Sequence, residues 1–402
     1  MTRRLYIDCG AAETRAVFIE NDVVTHFWFG AARGDEHLPQ APEAGDVFAG
    51  RVRTVSKSLR AAFVDIGAAQ EAFLPFKAKE KPPVEGERLV IAIRRPPIGA
   101  KGAVVTMDWC RGLQAPLIRE IDLQATKKEI GSLEGTNGAA LRIVRRSLRV
   151  LSGNVDIIVN DPSARIALAN AGVAASLTEA SDLEADAEAA LAEALEPRVS
   201  QPNGAVLFFH ETQAGVLIDV DSGAAGEGAS ALLNDKTNLA AAGRIILELS
   251  RRSLGGRVIV DFLPPTGATA RNALVDSLKA GLDEIAGARF GRIAPDGLCD
   301  FTLPRTRLSL LEQATAPAGD GWPVSGRCFT IDWSAKSAVR TLERALRRRP
   351  SLRPRLFAPA GVLRYLERDR PQWRARLAEK YGARFDIIEN DKLNAGRHDL
   401  AE

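Results

Sequence analysis

Residues 215–223, GVLIDVDSG, and residues 255–265, GGRVIVDFLPP, decide how this chain is read. Each is a short run of β-branched and apolar residues ending in carboxylates, Asp219 and Asp221 in the first and Asp261 in the second. Such runs, bounded by Gly and Pro, spell strands, and the acids fall where each strand leaves its sheet. Asp also favours turns, so the endings alone suit two ordinary strands equally well. The stretch between them, SALLNDKTNLAAAGRIILELSRRSL at 230–254, predicts one long helix stopping at Gly255-Gly256. A strand–helix–strand unit is a right-handed crossover, which makes its two strands parallel neighbours. Both C-terminal ends then lie on one sheet edge, where ligand sites of such sheets are found. Asp219 and Asp261 are therefore expected side by side. One or two carboxylates plus substrate phosphates suffice to hold magnesium, an arrangement suited to metal-assisted phosphodiester cleavage.

Downstream, ATARNALVDSLKAGLDEI predicts a second helix, followed by ARFGRIAPDGLCDF at 288–301. ATAPAGDGWPVSG, at 314–326, is rich in Ala, Gly and Pro and reads as a domain boundary. Beyond it, helical and strand patterns alternate, predicting a small α+β domain. Residues 336–380 hold fourteen Lys/Arg against four Asp/Glu, the footprint of a polyanion partner or of solvated helices. Residues 179–196 hold seven acids and no base, on a predicted solvated helix.

Upstream, residues 113–200 mix helices (RIVRRSLRVL, PSARIALANAG) with a strand, VDIIVND. Residues 45–106 carry five short strand patterns, the count of a small OB-type barrel. Phe48, Phe63 and Phe73 alternate there with Arg51, Arg53, Lys57 and Arg60. Such aromatics either fill the barrel or stack on bases of a single strand. Residues 3–30 read as a three-stranded meander with Asp8 on its first strand, which resembles the opening of ribonuclease H-like and actin-like folds.

The chain has 402 residues, 46% hydrophobic and 26% charged, with a net charge of +3. These are ordinary values for a soluble protein of several domains. Apolar runs of about eight residues are too short to cross a bilayer, and Asp8 interrupts any signal-like segment. A cytoplasmic location is expected. Cys9, Cys110, Cys299 and Cys328 form no CxxC pair, and His26, His37, His210 and His398 lack ligand spacing.

Taken in order, these blocks resemble the ribonuclease E/G family. GDVFAGRVRTVSKSLRAAFVDIGAAQEAFLP looks like its OB-type RNA-binding insert. GVLIDVDSG, the TNLAAA helix and LGGRVIVDFLPP look like its catalytic core, and ARFGRIAPDG with RTRLS like the strand and loop after it. The resemblance implies an α/β and α+β multidomain protein. Residues 1–42 and 113–200 would form a discontinuous RNase H-like part, 43–112 a five-stranded OB insert, 201–315 the catalytic α/β domain and 325–402 a small basic C-terminal domain.

The implied activity is magnesium-dependent endonucleolytic cleavage of single-stranded RNA, for RNA processing or decay, with manganese able to substitute. Asp219, Asp261 and Asp221 match the catalytic set, Asp219 and Asp261 as metal ligands. Phe63, Phe73, Lys101 and Arg289 match RNA-binding positions. Single-stranded RNA is the expected partner, with no membrane or DNA.

Three departures stand out. Asp221 falls where the family has Asn, adding negative charge near the phosphate or an extra metal ligand. The family's 5′-monophosphate pocket uses an Arg-Thr pair that is missing, and Arg119 and Thr126 do not replace it. The zinc-binding CPxC is replaced by WPVSGRC, so no zinc is expected, and the chain is read as a monomer or a dimer without a zinc link. The alternative is an RNA-binding protein of the same family with weak or lost nuclease activity. An actin-like nucleotide-binding protein is a third reading.

Overall fold

The computed structural model describes residues 2–32, 42–77, 79–97, 101–110, 113, 115–133, 138–151, 153–178, 182–223, 231–317, 326–369, 372–393 and 398–401. The chain divides into two compact units, Met1–Asn21 with Phe27–Glu184 and Glu312–Glu402, and Asp22–His26 with Ala185–Leu311.

The chain opens with β1 (Arg3–Cys9), β2 (Glu13–Glu20) and β3 (Val23–Ala31). Asn21 and Asp22 form the two-residue turn between β2 and β3, both at positive φ (48° and 64°). A type I′ hairpin turn needs that conformation, and Asn and Asp tolerate it.

Next come β4 (Val47–Ser56), β5 (Ala61–Asp65), β6 (Ala72–Pro75), β7 (Arg88–Arg95) and β8 (Val104–Thr106). They close a five-stranded barrel in the order β4-β5-β6-β8-β7 and back to β4, the β6–β8 pair alone being parallel. The barrel expected over these residues is thus present. Phe48, Val52, Val64, Leu74, Ile91, Ile93 and Val105 fill it, and closure removes the exposed edges a flat sheet would carry.

After the barrel come α1 (Ala115–Lys127), β9 (Gly131–Ser132), which pairs with β4, and α2 (Gly138–Leu148). The fully buried Asp46, just before β4, accepts from Arg142 Nη2 (2.6 Å) and from Arg146 Nε (2.8 Å) and Nη2 (2.7 Å), which tie the barrel to α2. Burial alone would raise the Asp46 pKa, but the two guanidinium groups hold it far below the usual carboxylate range.

β10 (Asp156–Val159), α3 (Pro162–Asn170) and β11 (Ser176–Leu177) follow. Asp161 caps α3 by accepting from the Ala164 N–H (2.8 Å), with Pro162 in the first helical turn. β10 pairs parallel with β1, giving a sheet ordered β11-β10-β1-β2-β3.

The second unit is a six-stranded sheet with helices on one face. After α4 (Asp182–Leu195), its elements are β12 (Arg198–Ser200), β13 (Val206–Glu211), β14 (Val216–Asp221), α5 (Ala231–Arg251), β15 (Gly256–Asp261), α6 (Ala268–Asp283), β16 (Arg289–Ile293) and β17 (Leu298–Leu303). The order is β12-β13-β14-β15-β17-β16, with β14 and β15 parallel as the crossover predicts. Ala241, Ala242, Ile245 and Leu249 of α5, with Leu274, Leu278 and Leu282 of α6, pack on the inner side chains Ile218, Val220, Val258 and Val260.

The C-terminal segment comprises α7 (Leu310–Ala314), β18 (Thr315–Pro317), β19 (Arg327–Phe329), α8 (Ile331–Arg348), β20 (Arg355–Ala358), α9 (Ala360–Asp369), α10 (Trp373–Tyr381), β21 (Asp386–Glu389) and β22 (Asp399–Ala401). β18 pairs with β19, so the start of the expected linker is strand, while 318–325, with most of WPVSGRC, lies outside the described residues.

The basic stretch is partly consumed inside the fold. Arg340 pairs with Glu13, Arg347 with Glu184 (3.1 Å), Lys336 with Asp332 (2.6 Å) and Lys380 with Glu343 (3.3 Å). Buried Asp8 is held by Arg15 (3.1 Å) and by the Asn160 amide (2.5 Å). The Ala11 N–H in the turn after β1 donates to Glu343 Oε2 (2.9 Å). Asp8 and the turn after it are thus engaged by protein groups. Among the described residues, no helix is long and apolar enough to cross a membrane.

Candidate active site

Alternation along β14 decides which side chains face outward. Val216, Ile218 and Val220 are buried, and Leu217, Asp219 and Asp221 are exposed. On β15, Val258 and Val260 are buried and Asp261 is exposed. The parallel register sets Asp219 opposite Asp261. Their backbones are therefore one strand spacing apart, about 4.8 Å, with both carboxylates on the face away from the helices. The crossover makes the two strands parallel neighbours, and their register, in which β14 runs two residues past β15, sets Asp219 rather than Asp221 beside Asp261.

Asp221 lies two residues further along the same face, beyond the end of β15. Its Oδ1 accepts from the Gly223 N–H (2.7 Å), closing a turn. Gly223 has φ +54°, and a side chain there would collide with the Gly204 carbonyl oxygen, 2.2 Å from an added Cβ. DVDSG is thus both an acid cluster and a turn that ends its strand.

The Asp219 pKa is raised by partial burial first and then by the negative charges of Asp261 and Asp221, against a lowering influence from His210. Like charges held in register suit a hard cation. Among the described residues, no three His, Cys, Asp or Glu side chains converge on one point. What the fold offers is a pair of carboxylates, enough for magnesium when phosphate and water complete the shell.

The TNLAAA helix positions the pair. Asn238 sits in the apolar stripe of α5 with Ala241, Ala242 and Ile245, and is 1% exposed. Its Nδ2 donates to the Leu263 carbonyl (2.8 Å) and its Oδ1 accepts from the Leu263 N–H (3.1 Å), clamping the chain two residues past Asp261. Asp235, one turn earlier, accepts from the Thr266 N–H (3.1 Å) and hydroxyl (2.5 Å). The motif's sequence does not show these roles. Its signal was an Asn at a core position of an otherwise apolar periodicity.

The other candidates divide between the two units. Arg289 lies on the edge strand β16, opposite Thr302, which is itself opposite Arg257 on β15. Phe290 packs toward the core, which leaves Arg289 on the open face. Phe63 and Phe73 are register partners on β5 and β6 and meet edge to face (5.9 Å between ring centres). Both are half-buried and lie outside the barrel core that Phe48 joins. Lys101 is exposed on the segment entering β8, whose Ala103 carbonyl accepts from the Phe73 N–H (2.7 Å).

A sequence model of the Ribonuclease E/G family matches residues 158–306, which contain both acidic strands and the helix between them. Ribonuclease G of Escherichia coli (strain K12) is 24% identical, across 77% of this chain and 81% of that protein. Residues 158–306 are thus similar to the ribonuclease E/G family. Ribonuclease G of Salmonella typhimurium (strain SL1344) is 23% identical over the same shares. Ribonuclease E of Synechocystis is 30% identical over 31% of this chain and 19% of its own length. Asp221 lies within the matched stretch, and the exposed Cys328 lies outside it.

Proposed function

We propose that this chain is a metal-dependent endoribonuclease that cuts single-stranded RNA, acting in the cytoplasm in RNA processing or decay. The observation that carries the reading is the register pair Asp219–Asp261 at the ends of two parallel strands. The names of its relatives, ribonuclease G and ribonuclease E, support RNA as the substrate. Asp219 and Asp261 would hold magnesium, or manganese in its place. When bound, the ion supplies Lewis acidity to the scissile phosphate and acidifies its water. Asn238 fixes the exit of β15 and with it the position of Asp261. Asp221 shapes the turn at Gly223 and sets the charge beside the phosphate. The Phe63–Phe73 pair offers a stacking surface for bases, and Lys101 and Arg289 supply positive charge for the backbone.

In this reading residues 43–112 are an OB-type RNA-binding insert. The order β11-β10-β1-β2-β3 supports an RNase H-like part made from the segments on either side of it. Residues 201–315 are the catalytic domain and 325–402 a small C-terminal domain. The protein acts as a monomer or as a dimer without a zinc link.

The test is a gel assay on unstructured RNA with and without magnesium. Asp219→Asn and Asp261→Asn should each abolish cleavage while RNA is still bound. Unchanged cleavage in both would sink the mechanism. A second reading, an RNA-binding protein with lost activity, draws on the extra acid Asp221 beside the pair. Binding without cleavage by the parent chain would favour it.

A further inference from the structure

The open face of the six-stranded sheet carries more than its acids. Following one register row across the strands gives Arg198 on β12, Phe208 on β13, Asp219, Asp261 and Leu298 on β17. Leu207 and Phe209 point into the core, so Phe208 between them faces outward and is half-exposed. Leu298 is 46% exposed. The carboxylate pair is thus flanked on each side by an apolar side chain in its own row. Arg198 lies beyond Phe208, exposed, with one Nη donating to the Ser200 hydroxyl (3.0 Å). On the far side the edge strand β16 adds the exposed Arg289 and Arg292 to the same face.

Positive charge at both edges, apolar steps inside them and a cation-seeking pair in the middle complement a single-stranded polyanion carrying flat bases. Phe208 is one strand spacing from Asp219, and Arg198 is about two, or roughly 10 Å, from it. Resting on the nuclease reading above, we propose that Phe208 is a base-stacking platform for the nucleotide beside the scissile phosphate. Arg198 then receives the next phosphate of that strand. The row would fix the register of the RNA over the carboxylate pair by stacking, which tolerates any base.

The test uses the full chain carrying Asp261→Asn, so that RNA is not cut, and a single-stranded RNA oligomer containing 2-aminopurine, whose fluorescence drops on stacking. Phe208→Ala and Phe208→Leu should each weaken binding about 5- to 150-fold, the range to which stacking losses of about 1–3 kcal/mol convert. Both should reduce quenching, and Phe208→Trp should restore it. Arg198→Ala should lower the slope of log affinity against log salt by about 0.7, as expected for one phosphate contact to a single strand. Circular dichroism of each variant should match the parent, since Phe208 is not part of the core. Binding and quenching unchanged in Phe208→Ala, or Phe208→Leu equal to the parent, would overturn the stacking role while leaving the nuclease reading intact. No RNA binding by the parent chain would overturn both.

Discussion

Asp261→Asn should make the metal-free protein more stable while removing its response to magnesium. The register places the two backbones about 5 Å apart, taken here as the spacing of the charges, and both residues are exposed. Two unit charges at that distance repel by about 0.8 kcal/mol in water and about 3 kcal/mol at an effective dielectric of ~20. Exposure puts this pair near the lower figure, so neutralising one partner gains about 1 kcal/mol at low salt. Added salt should shrink the gain.

The sign with pH follows from Asp219, whose pKa is raised by partial burial and then by its acidic neighbours. A carboxyl raised on folding makes the folded state bind more protons, so the parent gains stability as pH falls through that pKa. The advantage of the variant should therefore be present at pH 7 and vanish toward pH 4. Magnesium at about ten times its dissociation constant stabilises the parent by about 1.4 kcal/mol. That reverses the order of the two proteins.

Every Trp and Tyr lies outside residues 185–311, so intrinsic fluorescence does not report on this sheet. Hydrogen exchange of the β13–β14 and β15 peptides through a urea series, in EDTA and in magnesium, does. A variant less stable than the parent in EDTA at pH 7, or equal stabilisation of both by magnesium, would refute the reasoning.

Asn238→Ala removes both hydrogen bonds to Leu263 and leaves a small cavity; it should cost about 2–4 kcal/mol and lower cleavage rate, measured by urea unfolding and single-turnover kinetics. Asp46→Asn takes one charge partner from the buried Arg146 and from the half-buried Arg142, and should cost about 3–5 kcal/mol. In the parent, that ion cluster's contribution is fully present above the usual carboxylate pKa and lost as pH falls below about 4, which acid unfolding of the barrel will register. Phe63→Ala should weaken RNA binding by about 1–3 kcal/mol in a filter assay with the barrel still folded, because the ring lies outside the core. Cleavage should show little preference for 5′-monophosphate over 5′-hydroxyl RNA. Thr126 donates its hydroxyl to the Leu123 carbonyl of its own helix (2.7 Å).

Much of this was legible because it is written in local patterns. The alternation in GVLIDVD and GRVIVD, with a long helical period between them, fixes strand, helix, strand and their parallel pairing. Asn21-Asp22 announces a two-residue turn, and Asp161-Pro162 a helix start. What local patterns do not carry is the partner of a side chain. The density of Arg in 336–380 suggested a surface for a polyanion, yet Arg340 and Arg347 are spent on Glu13 and Glu184, from far earlier in the chain. Asn238 looked like one polar residue in a helix, and its role exists only because Leu263 passes beside it.

The order of residues alone carries the resemblance to the ribonuclease E/G family, the elements of the acidic strands and their parallel pairing, since period and crossover geometry are properties of that order. The tertiary structure alone decided that the two acids share one row with Phe208, Leu298 and Arg198. Register between strands separated by helices is set by the packing of the buried face, and the exposed face inherits whatever alignment that packing requires.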